Sequence, residues 1–222
     1  RTFAPSQAKG GDEIDPNTTA IVCIEFQNEF ATEGGKLYPA VAPVMAANGM
    51  LANTVAVCEA ARACGAVVFH SPISFAADAS DNPNRNLGIL AGCNKDSCFT
   101  AGTWNAEICE SMTPKDGDVV IKGKKGLDAF PGTDLEAQLK ARGIETIALA
   151  GFLTNCCVES TMRSAYEKGF NVVTLTDCTA CSSAEGQAAA AGPDGTFGMF
   201  STPMAAEELK AKLDNAPAAD KA

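Results

Sequence analysis

Five short apolar runs rich in β-branched residues recur along the chain with helix-like segments between them, and this alternation restricts the fold more than any other feature. The runs are TAIVCIE (19–25), AVVFH (66–70), DVVIK (118–122), ETIALAG (145–151) and NVVTLTD (171–177). Strands alternating with helices build parallel βαβ units with right-handed crossovers. The expected architecture is therefore α/β: a three-layer α/β/α, Rossmann-like open sheet, mainly parallel. An Ala-rich helical pattern runs from about Val41 to Ala63 and is stopped by Gly65. Thr133 is the expected N-cap of a short helix, LEAQLKARG. The segment NCCVESTMRSAYEKG (155–169) reads as a helix with Val158, Met162, Ala165 and Tyr166 at core spacing. The stretch 71–104 has little periodicity and reads as a long functional loop. One domain is expected over 18–214, with a flexible tail at 1–17 and a frayed end at 215–222.

Charge and cysteine placement narrow the partners. A formal net charge of −10 argues against nucleic acid or an anionic membrane, both of which are gripped by clustered Lys and Arg. No apolar run approaches the roughly 20 residues of a membrane span. The ten cysteines do not read as a disulfide framework. Cys23 sits inside an apolar strand run, Cys58 and Cys64 sit in a helical stretch, and a chain of this size needs no staples. Reduced thiols set the expectation of a cytoplasmic protein, although Arg1 at the start is compatible with a removed leader. The single histidine, His70, excludes zinc sites built from two or three imidazoles, and no metal or other cofactor is expected.

In open parallel sheets ligands bind outside the carboxyl ends of the strands, where strand order reverses. Three reactive side chains fall at such ends: Glu25 after the first run, Lys124 just past the third, and Cys157 after the fourth at the head of a helix. A helix N-terminus and a nearby ammonium both stabilise thiolate, and a carboxylate can take the thiol proton. Each residue also has an ordinary explanation. Glu25 could be a rim carboxylate, Lys124 belongs to the charged run IKGKK, and cysteine is among the most buried residue types. His70 ends the second run, which admits a Cys157–His70–Glu25 arrangement as well.

Four motifs in order carry a resemblance: IVCIEFQNEF (21–30), GTWNAEI (102–108), KKGLDAF (124–130) and GFLTNCCVESTMRSAYEKGFNVVTLTDCTA (151–180). They span most of the region from roughly 18 to 204, and the chain resembles the isochorismatase-like cysteine hydrolases. The resemblance implies a Rossmann-like sheet and an acid–lysine–cysteine catalytic set. It assigns the nucleophile to Cys157, the residue before the Val of TNxCV, and leaves Cys156 at a variable position. Neighbouring helical residues point about 100° apart, so only one of the two thiols can face a site. The lysine six before the Phe of the AF pair is Lys124, and the acid two before Gln-Asn is Glu25. Most members carry Asp there; Glu is longer by one carbon–carbon bond, about 1.5 Å, which points to a subgroup with a different substrate. A cis peptide is common in this family just before the cysteine turn, here Phe152–Leu153. It would aim the backbone N–H of Leu153, together with that of Cys157, at a developing oxyanion.

The implied reaction is hydrolysis of a small amide or ureide-type C–N bond through a thioester on Cys157, with Glu25 moving protons and Lys124 stabilising charge. Phe30 and Trp104 flank the motif residues and are taken as substrate-binding walls. Isochorismate cleavage is the alternative, a vinyl ether hydrolysis that needs an acid but no thiol. The Asp/His/His metal cluster of nicotinamidases cannot be assembled with one histidine. Cys178 and Cys181 form a CxxC after the fifth run, and with Cys93 and Cys98 they raise a redox or zinc-binding alternative. A catalytically idle binding protein is a further alternative, against which the three reactive residues speak. Family resemblance adds a small-molecule substrate and a homo-oligomer, dimer or tetramer.

Overall fold

The computed structural model describes residues 14–216. Its centre is one sheet of six strands: β1 (Thr19–Ile24), β2 (Val67–Ser71), β3 (Val119–Val120), β4 (Thr146–Phe152), β5 (Asn171–Ala180) and β6 (Thr202–Met204). The order is β3-β2-β1-β4-β5-β6, and every pair is parallel. The α/β expectation holds. β1 is the reason: all six of its residues are buried, as both faces of a central parallel strand must be.

Helices α1 (Asn28–Ala31), α2 (Tyr38–Asn48), α3 (Met50–Cys64), α4 (Gly88–Lys95), α5 (Leu135–Ala141), α6 (Glu159–Glu167), α7 (Ala184–Ala191), α8 (Phe197–Phe200) and α9 (Ala206–Asn215) surround the sheet. Alternation along β1 feeds two cores. Ile21 and Cys23 join Val41, Met45, Val57, Cys58, Leu209 and Leu213 from α2, α3 and α9. Ala20, Val22 and Ile24 join Leu135, Leu139, Met162, Ala165 and Phe197 from α5, α6 and α8. Each such aliphatic or aromatic side chain contributes roughly 1.5–3 kcal/mol by leaving water, which holds the three layers together.

Several expectations are corrected. The helix expected over 41–63 is two, because Gly49 takes a left-handed conformation (φ 63°) and turns α3 by 64° from α2. The stretch 71–104 is not structureless: it contains α4, and Phe75 bridges Thr100. Tyr166 is 51% exposed, at the outer edge of α6, with its ring edge-on to Phe200. The cap expected at Thr133 is off by one, since α5 begins after Asp134, although the Thr133 hydroxyl does accept from the Leu135 N–H (3.2 Å). Residues 1–13 of the expected tail lie outside the described residues. Ile14 and Pro16, described residues of that expected tail, are buried. At the other end α9 runs to Asn215, and 217–222 lie outside the described residues. Among the described residues no single helix is long and apolar enough to cross a membrane.

Candidate active site

Strand order reverses between β1 and β4, and the chain leaves both strands at the same sheet edge. Ile24 pairs with Gly151 there. Gly151 sits at φ 138°, and a Cβ on it would lie 2.1 Å from the Ile24 carbonyl oxygen. Only glycine lets the two strand ends approach so closely. Immediately beyond Ile24, Glu25 adopts φ 58°, a left-handed conformation that is uncommon outside glycine and clusters at functional sites. Its N–H donates to Ser71 O (3.2 Å) and its carbonyl accepts from the Gln27 N–H (2.7 Å), so the turn is tied to β2.

Lys124 arrives from the segment after β3 and is buried. Its Nζ donates to Glu25 Oε1 and to the Gly126 carbonyl (2.6 Å). Cys157 lies in a widened helical turn, Thr154–Val158, which joins β4 to α6. The Leu153 carbonyl accepts from the N–H groups of Cys156 (3.0 Å) and Val158 (3.2 Å), and the Phe152–Leu153 peptide is cis. The lysine loop is stitched to the cysteine helix through Thr161. That hydroxyl donates to Cys157 O (2.8 Å) and accepts from the Ala129 N–H (3.0 Å). The structure thus brings Glu25, Lys124 and Cys157 together, all buried, beyond the ends of β1 and β4 and beside the backbone of Leu153.

The charges are coupled. Burial pulls the Lys124 ammonium down, but the Glu25 charge, the Cys157 sulfur and the hydrogen bond to Glu25 together hold its pKa above the ordinary value. The Cys157 thiol is pushed well up by the neighbouring Cys156 thiol, by burial and by the Glu25 carboxylate, with Lys124 pulling the other way. The resting site is therefore a neutral thiol beside an ion pair, and a base is needed to make the nucleophile.

Three consecutive polar residues not singled out from the sequence tie the turn after Glu25 to distant loops. Gln27 Nε2 donates to Ile73 O and Ala106 O (2.7 Å each), and its Oε1 accepts from the Ile73 N–H (2.9 Å). Asn28 Nδ2 donates to Trp104 O (2.9 Å). Glu29 is completely buried and accepts from the N–H of Lys36 (2.7 Å), from Asn105 Nδ2 (2.9 Å) and from the N–H of Phe99 (3.0 Å). A run of polar residues closing an apolar strand was the available signal: buried polar groups must be paired.

The other expected residues fall elsewhere. Phe30 is a core side chain stacked on Phe152 (5.1 Å) and tilted against Phe99 (5.3 Å), so it backs the catalytic turn. Trp104 is 44% exposed and lies against Gly34. His70 does not form a triad with Cys157. Its Nε2 lies 2.9 Å from Asp118 Oδ2, and Asp118 also binds Arg62 through two hydrogen bonds. The four-thiol grouping does not assemble either: the Cys178 sulfur lies 3.9 Å from Asp177 Oδ1, whereas the Cys98 N–H donates to the Cys93 carbonyl (2.9 Å), and all four thiols are free. Among the described residues no three His, Cys, Asp or Glu side chains are grouped to hold a metal ion.

Sheet order and helical layers on both faces give a three-layer α/β fold of the kind seen in cysteine hydrolases of known structure. Within that class the chain belongs to the isochorismatase family, since residues 19–208 match the Isochorismatase domain. It is 30% identical to the ureidoacrylate amidohydrolase RutB of Methylobacterium radiotolerans, covering 92% of this chain and 84% of that one. A cysteine hydrolase from Pseudomonas syringae pv. phaseolicola superposes with a TM-score of 0.81 at 25% identity, covering 92% of this chain and 96% of that one. The nicotinamidase/pyrazinamidase PncA of Bacillus subtilis gives a TM-score of 0.65 at 26% identity, covering 84% of this chain and all of that one (100%).

Proposed function

We propose that the protein is a cysteine amidohydrolase that cleaves a small amide or ureide-type C–N bond, with Cys157 as nucleophile, Glu25 as proton carrier and Lys124 as charge stabiliser. One observation carries the reading: a buried Glu25–Lys124 pair whose two charges both act on the Cys157 thiol. Likeness to an amidohydrolase over most of the chain supports the choice of bond.

The Glu25 carboxylate takes the Cys157 proton as the sulfur adds to the substrate carbonyl carbon. The oxyanion forms toward the N–H groups of Leu153 and Cys157, a placement worth roughly 10²–10³ in rate per donor. The C–N bond then breaks, and Glu25, now a carboxylic acid, gives its proton to the departing nitrogen. Water replaces the amine, Glu25 takes a proton from it, and hydroxide adds to the thioester carbonyl. The acid product leaves as Cys157 regains its proton. Lys124 stays an ammonium throughout, which its raised pKa favours. Phe30 supports the pocket through Phe152, and Trp104 supplies its outer wall. We propose a homo-oligomer as well, which light scattering would measure.

The test is a product screen on wild type and Cys157→Ser, following ammonia from small amides and ureides and pyruvate from isochorismate. Ammonia release by the wild type and its loss in the variant is the expected result. Pyruvate release that survives in the variant would make the thioester reading wrong.

A further inference from the structure

Thr154 opens the widened turn that carries Cys157, and it follows directly on Leu153, one of the two N–H donors assigned to the oxyanion. It is completely buried, and its hydroxyl donates to Oε1 of Gln187 (2.6 Å), a residue of α7 that lies 33 positions further along the chain. The other end of that amide is held as well. Gln187 Nε2 donates to Thr179 Oγ1 (3.1 Å), Thr176 O (3.2 Å) and Thr179 O (3.3 Å). Carbonyls only accept, so these two fix which end of the amide carries the protons and leave Oε1 as the acceptor for Thr154. We propose that Gln187, acting through Thr154, is a positioning residue for the reaction: it holds the turn so that the Leu153 and Cys157 N–H groups meet the oxyanion. This rests on Cys157 being the nucleophile.

β5 is shaped to receive this amide. Leu149 pairs with Thr174 but Gly151 with Thr179, so Ala150 faces the extra residues 175–178 and β5 bulges there. A bulge leaves backbone groups outside the ladder. Gln187 Nε2 takes the Thr176 carbonyl within the bulge and the Thr179 carbonyl at its end. The turn on the other side also needs support. Its Asn155 (φ −91°, ψ 18°) departs from helical values, and widened turns of this kind recur at functional sites. α7 packs directly against it, since a Cβ on Gly186 would lie 3.2 Å from Asn155 Nδ2. The Gln187 amide therefore spans the gap between the strand bulge and the cysteine turn.

Two hydroxyls clamp the turn from different ends. Thr161 holds the Cys157 carbonyl, and Thr154 ties the Leu153 side to α7. Without the Thr154 bond, Cys157 stays anchored through Thr161 while the backbone on the Leu153 side is released. The loss then falls on oxyanion stabilisation and spares the thiol, which separates this role from a general loosening of the site.

The experiment uses the full chain and two probes that require no knowledge of the natural substrate. Hydrolysis of 4-nitrophenyl acetate passes through an oxyanion, and its Cys157-dependent part is the rate in excess of that of Cys157→Ser. Alkylation by iodoacetamide displaces iodide and forms no oxyanion; fragmentation of the tryptic peptide 143–163 locates it on Cys157. Thr154→Val and Gln187→Met are expected to slow hydrolysis roughly 10- to 100-fold while Cys157 is alkylated at close to the wild-type rate. Thr154→Ser keeps the hydroxyl and should recover most of the hydrolysis. The double variant Thr154→Val, Gln187→Met should be no slower than the slower single, because one residue acts through the other. Wild-type hydrolysis in a folded single variant, a parallel fall in hydrolysis and alkylation, or losses that multiply in the double would each overturn the proposal. Thr154→Val only exchanges a hydroxyl for a methyl, and it carries the test where circular dichroism shows Gln187→Met unfolded. Wild type no faster than Cys157→Ser would instead remove the nucleophile assignment, and this proposal with it.

Discussion

Replacing Lys124 by methionine keeps the length of the side chain and removes its charge. The Lys124 side chain is 0% exposed and that of Glu25 3%, so neither ion is compensated by water. At a separation of about 3 Å and an effective dielectric of about 20, their attraction is roughly 5 kcal/mol, which offsets a desolvation cost of several kcal/mol per ion. Removing one partner leaves the Glu25 carboxylate buried without a cation, and such breaks cost about 3–5 kcal/mol. Lys124→Met is therefore expected to lose that much in urea unfolding followed by circular dichroism at pH 7. The double variant Glu25→Gln, Lys124→Met removes both charges and should recover most of the loss. The pH dependence has a definite sign. The folded pKa of Lys124 is raised above its ordinary 10.5, so its contribution is complete below that value and is lost as pH rises through the folded one. The gap between wild type and Lys124→Met should hold from pH 7 to 9 and narrow only in more alkaline solution. A single variant within about 1 kcal/mol of wild type, or a double variant no more stable than the single, would refute the buried pair.

Gly151→Ala forces a Cβ against the Ile24 carbonyl oxygen at a left-handed φ, and should cost more than about 3 kcal/mol, read from the same urea curves. Glu29→Ala strands three donors, from Lys36, Asn105 and Phe99, at about 1–3 kcal/mol for each one left buried. Amide hydrogen exchange should accelerate across 97–106, and unchanged protection there would contradict the clasp. His70 is the chain's one histidine, so a single imidazole resonance reports its titration. Burial, opposed by Asp118, holds its pKa below 6.5, so it favours the folded state above pH 6.5 and loses that contribution as pH falls through the folded value. A midpoint at or above 6.5 would mean that Asp118 outweighs burial.

The parts of the fold that were legible in the sequence are those with a local period. Five of the six strands were readable because each lies in an apolar run rich in β-branched residues, although β3 keeps only Val119–Val120 of the run 118–122. β6 was not, because Thr202–Met204 is three residues with a proline in the middle and resembles a loop. The break at Gly49 was hidden because one glycine inside an Ala-rich pattern is tolerated in many helices, and only its left-handed φ separates α2 from α3. Tyr166 was misplaced because spacing cannot say where the apolar stripe of α6 ends. At the site, Glu25, Lys124 and Cys157 were visible as strand-end residues. The clasp of Gln27, Asn28 and Glu29 was not, because its partners at Ile73, Phe99 and Trp104–Ala106 are 46 to 79 residues away along the chain.

The most direct measurement is rapid-quench intact-mass analysis during turnover of a ureide or amide that releases ammonia. The account predicts a transient acyl adduct that maps to Cys157 and is absent from Cys157→Ser, whose turnover is abolished. Undiminished turnover by Cys157→Ser, with no adduct on either protein, would contradict it.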